Sequence, residues 1–460
     1  MFVNKRGDFR ALAILFLLVF VYAISAMFLV REIAIPFIFP DSVGGNLPAD
    51  PQYYNDLALK KTAEIEAHGF GAFELRPSGQ GPAGLASLLY QFVKSPYIFV
   101  VVNGLMHALS AVVMVLIIRS WFPLSTSIIA AMPLVISPYM ILWFSQLNKD
   151  SYSLLGALLF VYGISQLVMH GKSLKNIAYS VIFVISGVFL IWLMRPYVNI
   201  LLMPISTLLL MGTLLWRFRN KSPTADLLRF IIAAAIILFF ISILSKGAQS
   251  DQTLDSLVDY QAPDSLVDYQ APMLSSASTL SQKCLTKIDF KNWQNASFLP
   301  NYLNNKLQAI AGQRCLNFSL LDTQNNLTTL NSFIDKEVHF GGSLDTLSYL
   351  PRAALIGVFS PWPDRWIYWL NHEFSIFYMI TSIEALLMYL GFVGLIIYII
   401  CHKTWSLFIP ISISCTMMVI YGMANPFIGA LYRYRFPWWV IVICFGTAAL
   451  IELRRNLKWN

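Results

Sequence analysis

The sequence predicts an all-α, polytopic membrane protein with about ten transmembrane helices, and three observations predict it. Hydrophobic residues make up 57% of the chain and charged residues only 12%, half of the roughly one quarter that a soluble domain carries. Apolar runs of about 16 to 25 residues recur along the chain, the length that crosses a bilayer as a helix. Short segments between these runs hold most of the charge.

The first run, ALAILFLLVFVYAISAMFLV at 11–30, follows Lys5, Arg6 and Arg10. It is longer than the apolar core of a secretory signal, Ala23 and Ala26 offer only a poor cleavage site, and the run continues past them, so it is expected to remain as the first span. Further spans are expected at 97–118, 123–142, 152–169, 177–194, 198–216, 230–245, 375–400, 406–423 and 437–452. The stretch ALIGVFS at 354–360 is apolar but too short to cross, and reads as a re-entrant or interfacial piece.

An even number of spans leaves both termini on one side, and the basic loops mark that side as cytoplasmic. These loops carry Arg119, Lys172 and Lys175, the cluster Arg217, Arg219, Lys221 and Arg229, then Lys403 and the tail RRNLK. The external face then holds a long first loop at 31–95, the turns SQLNKDS and RPYVN, a segment at 246–374, and ANPFIGALYRYRFPW. The expected organisation is an N-terminal transmembrane module at 1–245, an external segment at 246–374 and a C-terminal transmembrane module at 375–460. Cys284 and Cys315 both fall in the external segment, where an oxidising compartment favours a disulfide between them.

Candidate chemistry collects on the external face. Asp50 precedes Pro51, a pairing that starts a helix; its carboxylate, or that of Asp41, also suits a general base at the membrane surface. Arg76, in LRPSGQGPAGLASLLYQF, fits either an anion or an interfacial anchor. Lys149 and Asp150 open the helix after the third span, where the helix dipole favours the acid and opposes the lysine. Arg195 sits at the next external turn. Arg433 and Arg435 flank Tyr434 outside the last span, where positive charge is disfavoured. Their planar forks match phosphate, although headgroup anchoring accounts for them equally well. Acid and cation from separate parts of the chain reach one face, which suggests a site for an anionic, lipid-linked substrate.

The pattern resembles the GT-C superfamily of membrane glycosyltransferases, the polyprenol-linked sugar transferases with aminoarabinose and protein mannosyltransferase relatives. DPQYYNDLA matches their first-loop aspartate followed by tyrosine and an Ala-rich helix, and RPSGQGPAGLASLLY their Pro/Gly segment leading into an apolar helix. SQLNKDS matches a later acidic motif, and YRYRFPWW the arginine-rich element before the last helix. The order KD, RP, PRAALIGVFSPWP, RYRFP is similar to proteins encoded with surface-polysaccharide genes, of the O-antigen kind.

The resemblance implies a GT-C-like fold in a bacterial plasma membrane. It implies transfer of a sugar from a polyprenyl phosphate or pyrophosphate donor to a glycan or lipid acceptor on the periplasmic side. Asp50 would be the base, with Asp41 in reserve, and Arg433 and Arg435 would hold the phosphate. Lys149 and Arg195 would assist there or pair with Asp150, and Tyr53, Tyr54 and Arg76 would support the site. The chain has one acid, Asp50, where many relatives carry an adjacent pair. A divalent cation is thus compatible with the site but not required by it, and no other cofactor is expected.

Two other functions fit parts of the sequence. A Wzy-type polysaccharide polymerase would also need external arginines and a large periplasmic segment, but the DPQYY loop favours the transferase. A non-enzymatic transporter of lipid-linked glycan would place ionisable groups within the membrane, where His107 and Glu384 are almost the only candidates. No nucleotide cradle, zinc spacing or Ser/His/Asp order occurs, and the net charge of +8 is accounted for by the loops, so nucleic acid is not an expected partner. The perfect tandem repeat DSLVDYQAPDSLVDYQAP at 255–272 reads as a solvated loop, since two nine-residue units are far short of a solenoid.

Overall fold

In the computed structural model, the described residues are 6–38, 50–171, 173–250, 293–322, 333–335, 338, 340–363, 369–370, 373–374, 376–402 and 405–457. Asp41, Cys284, Lys172, Lys403 and the repeat at 255–272 lie outside them. Sixteen helices matter here. The first ten are α1 (Arg6–Leu29), α2 (Asp50–His68), α3 (Gly81–Leu89), α4 (Ile98–Arg119), α5 (Leu124–Ile136, itself two short turns), α6 (Pro138–Phe144), α7 (Asp150–His170), α8 (Leu174–Met194), α9 (Pro196–Arg219) and α10 (Thr224–Ser250). The remaining six are α11 (Asn301–Asp322), α12 (Ser343–Ser348), α13 (Leu350–Phe359), α14 (Ile376–His402), α15 (Phe408–Ala424) and α16 (Ile428–Leu457).

The protein is a polytopic helical membrane protein: among the described residues, eight helices are long and apolar enough to cross a bilayer. The expected third span is instead broken, with α5 and α6 meeting at 59°. Pro138 has no N–H to continue the helix and forces Ser137 out of the helical region, to φ −53° and ψ 110°. Ser137 Oγ then accepts from the Met140 amide and restarts the helix as an N-cap. The expected ninth span is the 17-residue α15, and 354–360 falls within the ten-residue α13.

The chain forms two compact units. The first comprises Met1–Ser256, Leu390–Ile413 and Val440–Asn460; the second comprises Leu257–Tyr389 and Ser414–Trp439. Residues of α14, α15 and α16 are divided between the two units, Leu390–Ile413 and Val440–Asn460 falling in the first and the rest in the second.

In the first unit α7 is the central helix. Over its apolar stretch 83% of residues are buried, against 22% for the first span and for α10. It packs on α4 and α8, while α1 lies on α4 and α10 on α8 and α9. Small residues set the closest of these approaches: a Cβ on Gly187 would sit 2.5 Å from the Gly156 carbonyl oxygen. Since lipid is as apolar as leucine, such close backbone packing is a principal source of attraction between spans. Trp121 and Phe122 of the first connection pack on Phe445 and, for Phe122, on Tyr398.

The second unit is knitted by polar side chains. Asn304 of α11 donates to the Ala296 and Leu299 carbonyls and accepts from the Ala296 amide and the Ser343 hydroxyl, so that one residue joins a loop, α11 and α12. Arg314 lies buried between the rings of Phe340 and Tyr349 and donates to the carbonyls of Met423, Ile334 and Asp335. Cys315, beside it, is disulfide-bonded; the expected partner, Cys284, lies outside the described residues.

Candidate functional site

In the first unit a proline builds one side of a polar cluster. Helix α8 stops at Met194 because Pro196 follows, and Arg195 takes φ −142° and ψ 69°. Pro196 then opens α9 at a position that tolerates a missing N–H. The break leaves Arg195 at the junction of two helices, where its guanidinium forms an ion pair with Asp150 in the first turn of α7. Each side chain is only 4% exposed, and a charge that far from water persists only when paired.

Lys149, at the cap position of α7, opposes the helix dipole. Its ammonium is held by Gln80 Oε1 at 2.7 Å and lies 5.1 Å from the centre of the Tyr54 ring, a cation–π contact. Gln80 reaches it because the loop before α3 presses against the end of α8. At Gly81 a Cβ would fall 2.0 Å from the Leu193 carbonyl oxygen, so only glycine allows the approach. Arg76, on the same loop, lies 5.1 Å from the Trp192 ring and donates to the Gly79 carbonyl at 2.9 Å.

Asp50 opens α2, followed directly by Pro51, and is half-buried. It lies four residues before Tyr54 and so shares a helix face with the ring on which Lys149 rests. Tyr53 packs beside Tyr54, with ring centres 5.8 Å apart. Tyr90, at the end of α3, donates to Oδ1 of Asn55 on α2 at 2.6 Å, and burial pushes its phenol up to about 12. Burial also raises the carboxyl of Asp56.

Buried polar side chains underlie this cluster. Asn103 of α4 donates to the carbonyls of Phe144 and Gln146 and accepts from Ser151, which ties the end of α6 to the start of α7. Arg31 leaves the first span at a π turn, donates to the Ser145 carbonyl at 3.1 Å and covers the Tyr97 ring. Gln80, Asp56, Asn103 and Arg31 escaped the sequence reading. Only Arg31 carried a signal, a cation just past the first span, and ordinary interfacial anchors give the same one.

The second unit holds the other expected cations. Arg433 is half-buried. Arg435 is 1% exposed, and its fork donates to the carbonyls of Ile356 at 3.2 Å, Gly357 at 2.9 Å, and Ser360. Trp439 Nε1 donates to the Val358 carbonyl at 3.1 Å, and the Tyr389 hydroxyl donates to those of Phe359 and Pro361. The carbonyls from Ile356 to Pro361 thus each accept a side-chain donor. This answers the problem posed by a short helix ending among apolar spans, whose last carbonyls have no partner within the helix. Arg435, expected to hold a phosphate, has its fork directed at these carbonyls. In the same unit Tyr432 donates to Glu384. In the first unit, His107 faces the Val135 carbonyl at 3.1 Å and packs edge-on against Phe144.

No protein-family model matches the chain, and no curated protein matches it in sequence.

Proposed function

We propose that the protein is an integral membrane glycosyltransferase of the GT-C kind. It would move a sugar from a polyprenyl phosphate or pyrophosphate to a glycan or lipid acceptor at the periplasmic face of a bacterial plasma membrane, with both termini cytoplasmic. The observation that carries this reading is Lys149 resting on Tyr54, one turn of α2 from Asp50. It supports a site in the first unit made of an acid and a cation, to which Gln80, bonded to Lys149, and Arg76, on the same loop as Gln80, would contribute.

In this reading Asp50 takes the proton of the acceptor hydroxyl as its oxygen forms a bond to the anomeric carbon. The bond from that carbon to the donor phosphate breaks, and its electron pair leaves with the phosphate. Lys149 and Arg76 stabilise the charge that builds there. Arg195 and Asp150 hold the start of α7, and so the position of Lys149.

One observation favours a transporter of lipid-linked glycan instead: Glu384, a buried carboxyl in the first turn of the apolar span Ser382–His402, accepts from Tyr432. Sugar transfer from a polyprenyl-phosphate donor in membranes bearing Asp50→Asn, Lys149→Gln or Glu384→Gln separates the two. The transferase predicts losses of about 10²- to 10⁴-fold for Asp50→Asn and on the order of 10²-fold for Lys149→Gln, at unchanged protein level. Wild-type transfer by both of these variants, with loss confined to Glu384→Gln, would overturn it.

A further inference from the structure

Two turns at the opposite end of α7 from Asp150 are built as one piece. Arg217, near the end of α9, is buried and reaches across to the α7–α8 turn, donating to the carbonyls of Gly171 at 3.0 Å, Leu167 at 3.2 Å and Val168 at 3.3 Å. Its guanidinium also covers the Phe230 ring of α10 at 4.5 Å. Ser173 and Asn176 cap the α7–α8 turn, and the Ser222 and Lys221 amides close the α9–α10 turn on the carbonyls of Arg217 and Phe218. Both turns are therefore fixed relative to each other by a side chain that itself faces inward.

Outside this strut the charge is one-sided. Lys175 on one turn and Arg219, Lys221 and Arg229 on the other are all exposed, and the carboxylate among them is Asp226, 3.4 Å from Arg229. Immediately toward the apolar spans, Trp216 and Phe218 are 62% and 73% exposed. Exposed aromatic rings beside a transmembrane helix sit at headgroup depth, and cations just beyond them meet lipid phosphate. A soluble acidic partner would need the cations but gives no reason for the rings. A bilayer surface uses both.

We infer that the paired α7–α8 and α9–α10 turns form a binding surface for acidic phospholipid headgroups, with Lys175, Arg219 and Lys221 as the phosphate-facing cations and Trp216 and Phe218 as the anchors. The surface is separate from the Asp50 cluster and does not depend on the reaction that cluster performs.

The test uses the full chain in nanodiscs of phosphatidylcholine alone or with phosphatidylglycerol, reading by native mass spectrometry which lipid the protein retains. Wild type should retain phosphatidylglycerol in preference to phosphatidylcholine. The triple variant Lys175→Gln, Arg219→Gln, Lys221→Gln alters only exposed side chains and should lose the preference by about five-fold for each cation removed. Lys306→Gln on α11 of the second unit removes one half-buried cation elsewhere and should leave the preference unchanged. Equal retention of both lipids by wild type, or an undiminished preference in the triple variant, would overturn the assignment.

Discussion

The guanidinium of Arg435 donates to the carbonyl oxygen of Gly357 at 2.9 Å, joining the first turns of α16 to the last turn of α13. Arginine's fork reaches the carbonyls of Ile356 and Ser360 as well, which a single ammonium does not match. Each carbonyl left buried without a donor costs about 1–3 kcal/mol. The Ile356 carbonyl keeps the Ser360 amide as a donor, so Arg435→Ala should destabilise the second unit through Gly357 and Ser360, by about 2–3 kcal/mol, and Arg435→Lys by less. Thermal unfolding in detergent reads both. A midpoint unmoved by Arg435→Ala would show that the cap contributes nothing.

The Arg195–Asp150 pair separates structural from functional roles. Removing one partner leaves the other charge buried and unpaired, at a cost of about 3–5 kcal/mol, whereas replacing both by apolar residues of similar size is often neutral. Arg195→Met should lower the unfolding midpoint sharply, and Arg195→Met with Asp150→Leu should restore most of it. If the pair only positions Lys149, the double variant also recovers part of any transferase activity; if Arg195 binds substrate itself, stability returns and activity does not.

The helical membrane architecture was legible because apolar length is written directly in composition, and α4, α7, α8 and α9 lie close to where the apolar runs fall. What was not legible turned on where individual donors go. Arg435 and Lys149 look alike in sequence, each a cation near one end of an apolar run. One is buried against backbone carbonyls and the other rests on Tyr54 beside Gln80, a difference set by helix ends that pattern does not reveal. Pro138 was visible, but its effect depended on Ser137 being able to restart the chain as a cap. Arg195 was the opposite case: the RP dipeptide itself fixes a helix break, and the break is what brings the arginine to Asp150.

Close packing of α7 on α8 gives a third prediction. With the Gly156 carbonyl 2.5 Å from where a Gly187 Cβ would stand, even alanine forces the helices apart. Gly187→Leu should prevent native packing of the first unit and abolish folded protein in detergent extracts. Gly212, on α9, has open space around its would-be Cβ, so Gly212→Leu should be tolerated. Equal yields of the two variants would mean that this contact is not a determinant of the bundle.

Asp335 gives the pH dependence. The Arg352 guanidinium donates two hydrogen bonds to its carboxylate, both at 2.9 Å, and Tyr349 adds a third at 2.8 Å. The Arg352 bonds, then Tyr349, hold the Asp335 carboxyl below the usual carboxylate range, against an opposing effect of burial. A depressed value in the folded state means that the unfolded chain binds the proton more readily. The stabilisation is therefore complete above the unfolded value of about 4 and is lost as pH falls through the lower folded value. Arg352→Met removes the main cause. Its unfolding midpoint should lie below wild type by a constant margin from pH 7 to about pH 5, and the margin should close as the pH is lowered further. A margin that persists undiminished at pH 3 would mean that Arg352 stabilises α13 through its contact with the Trp362 ring, 5.9 Å away, and not through Asp335.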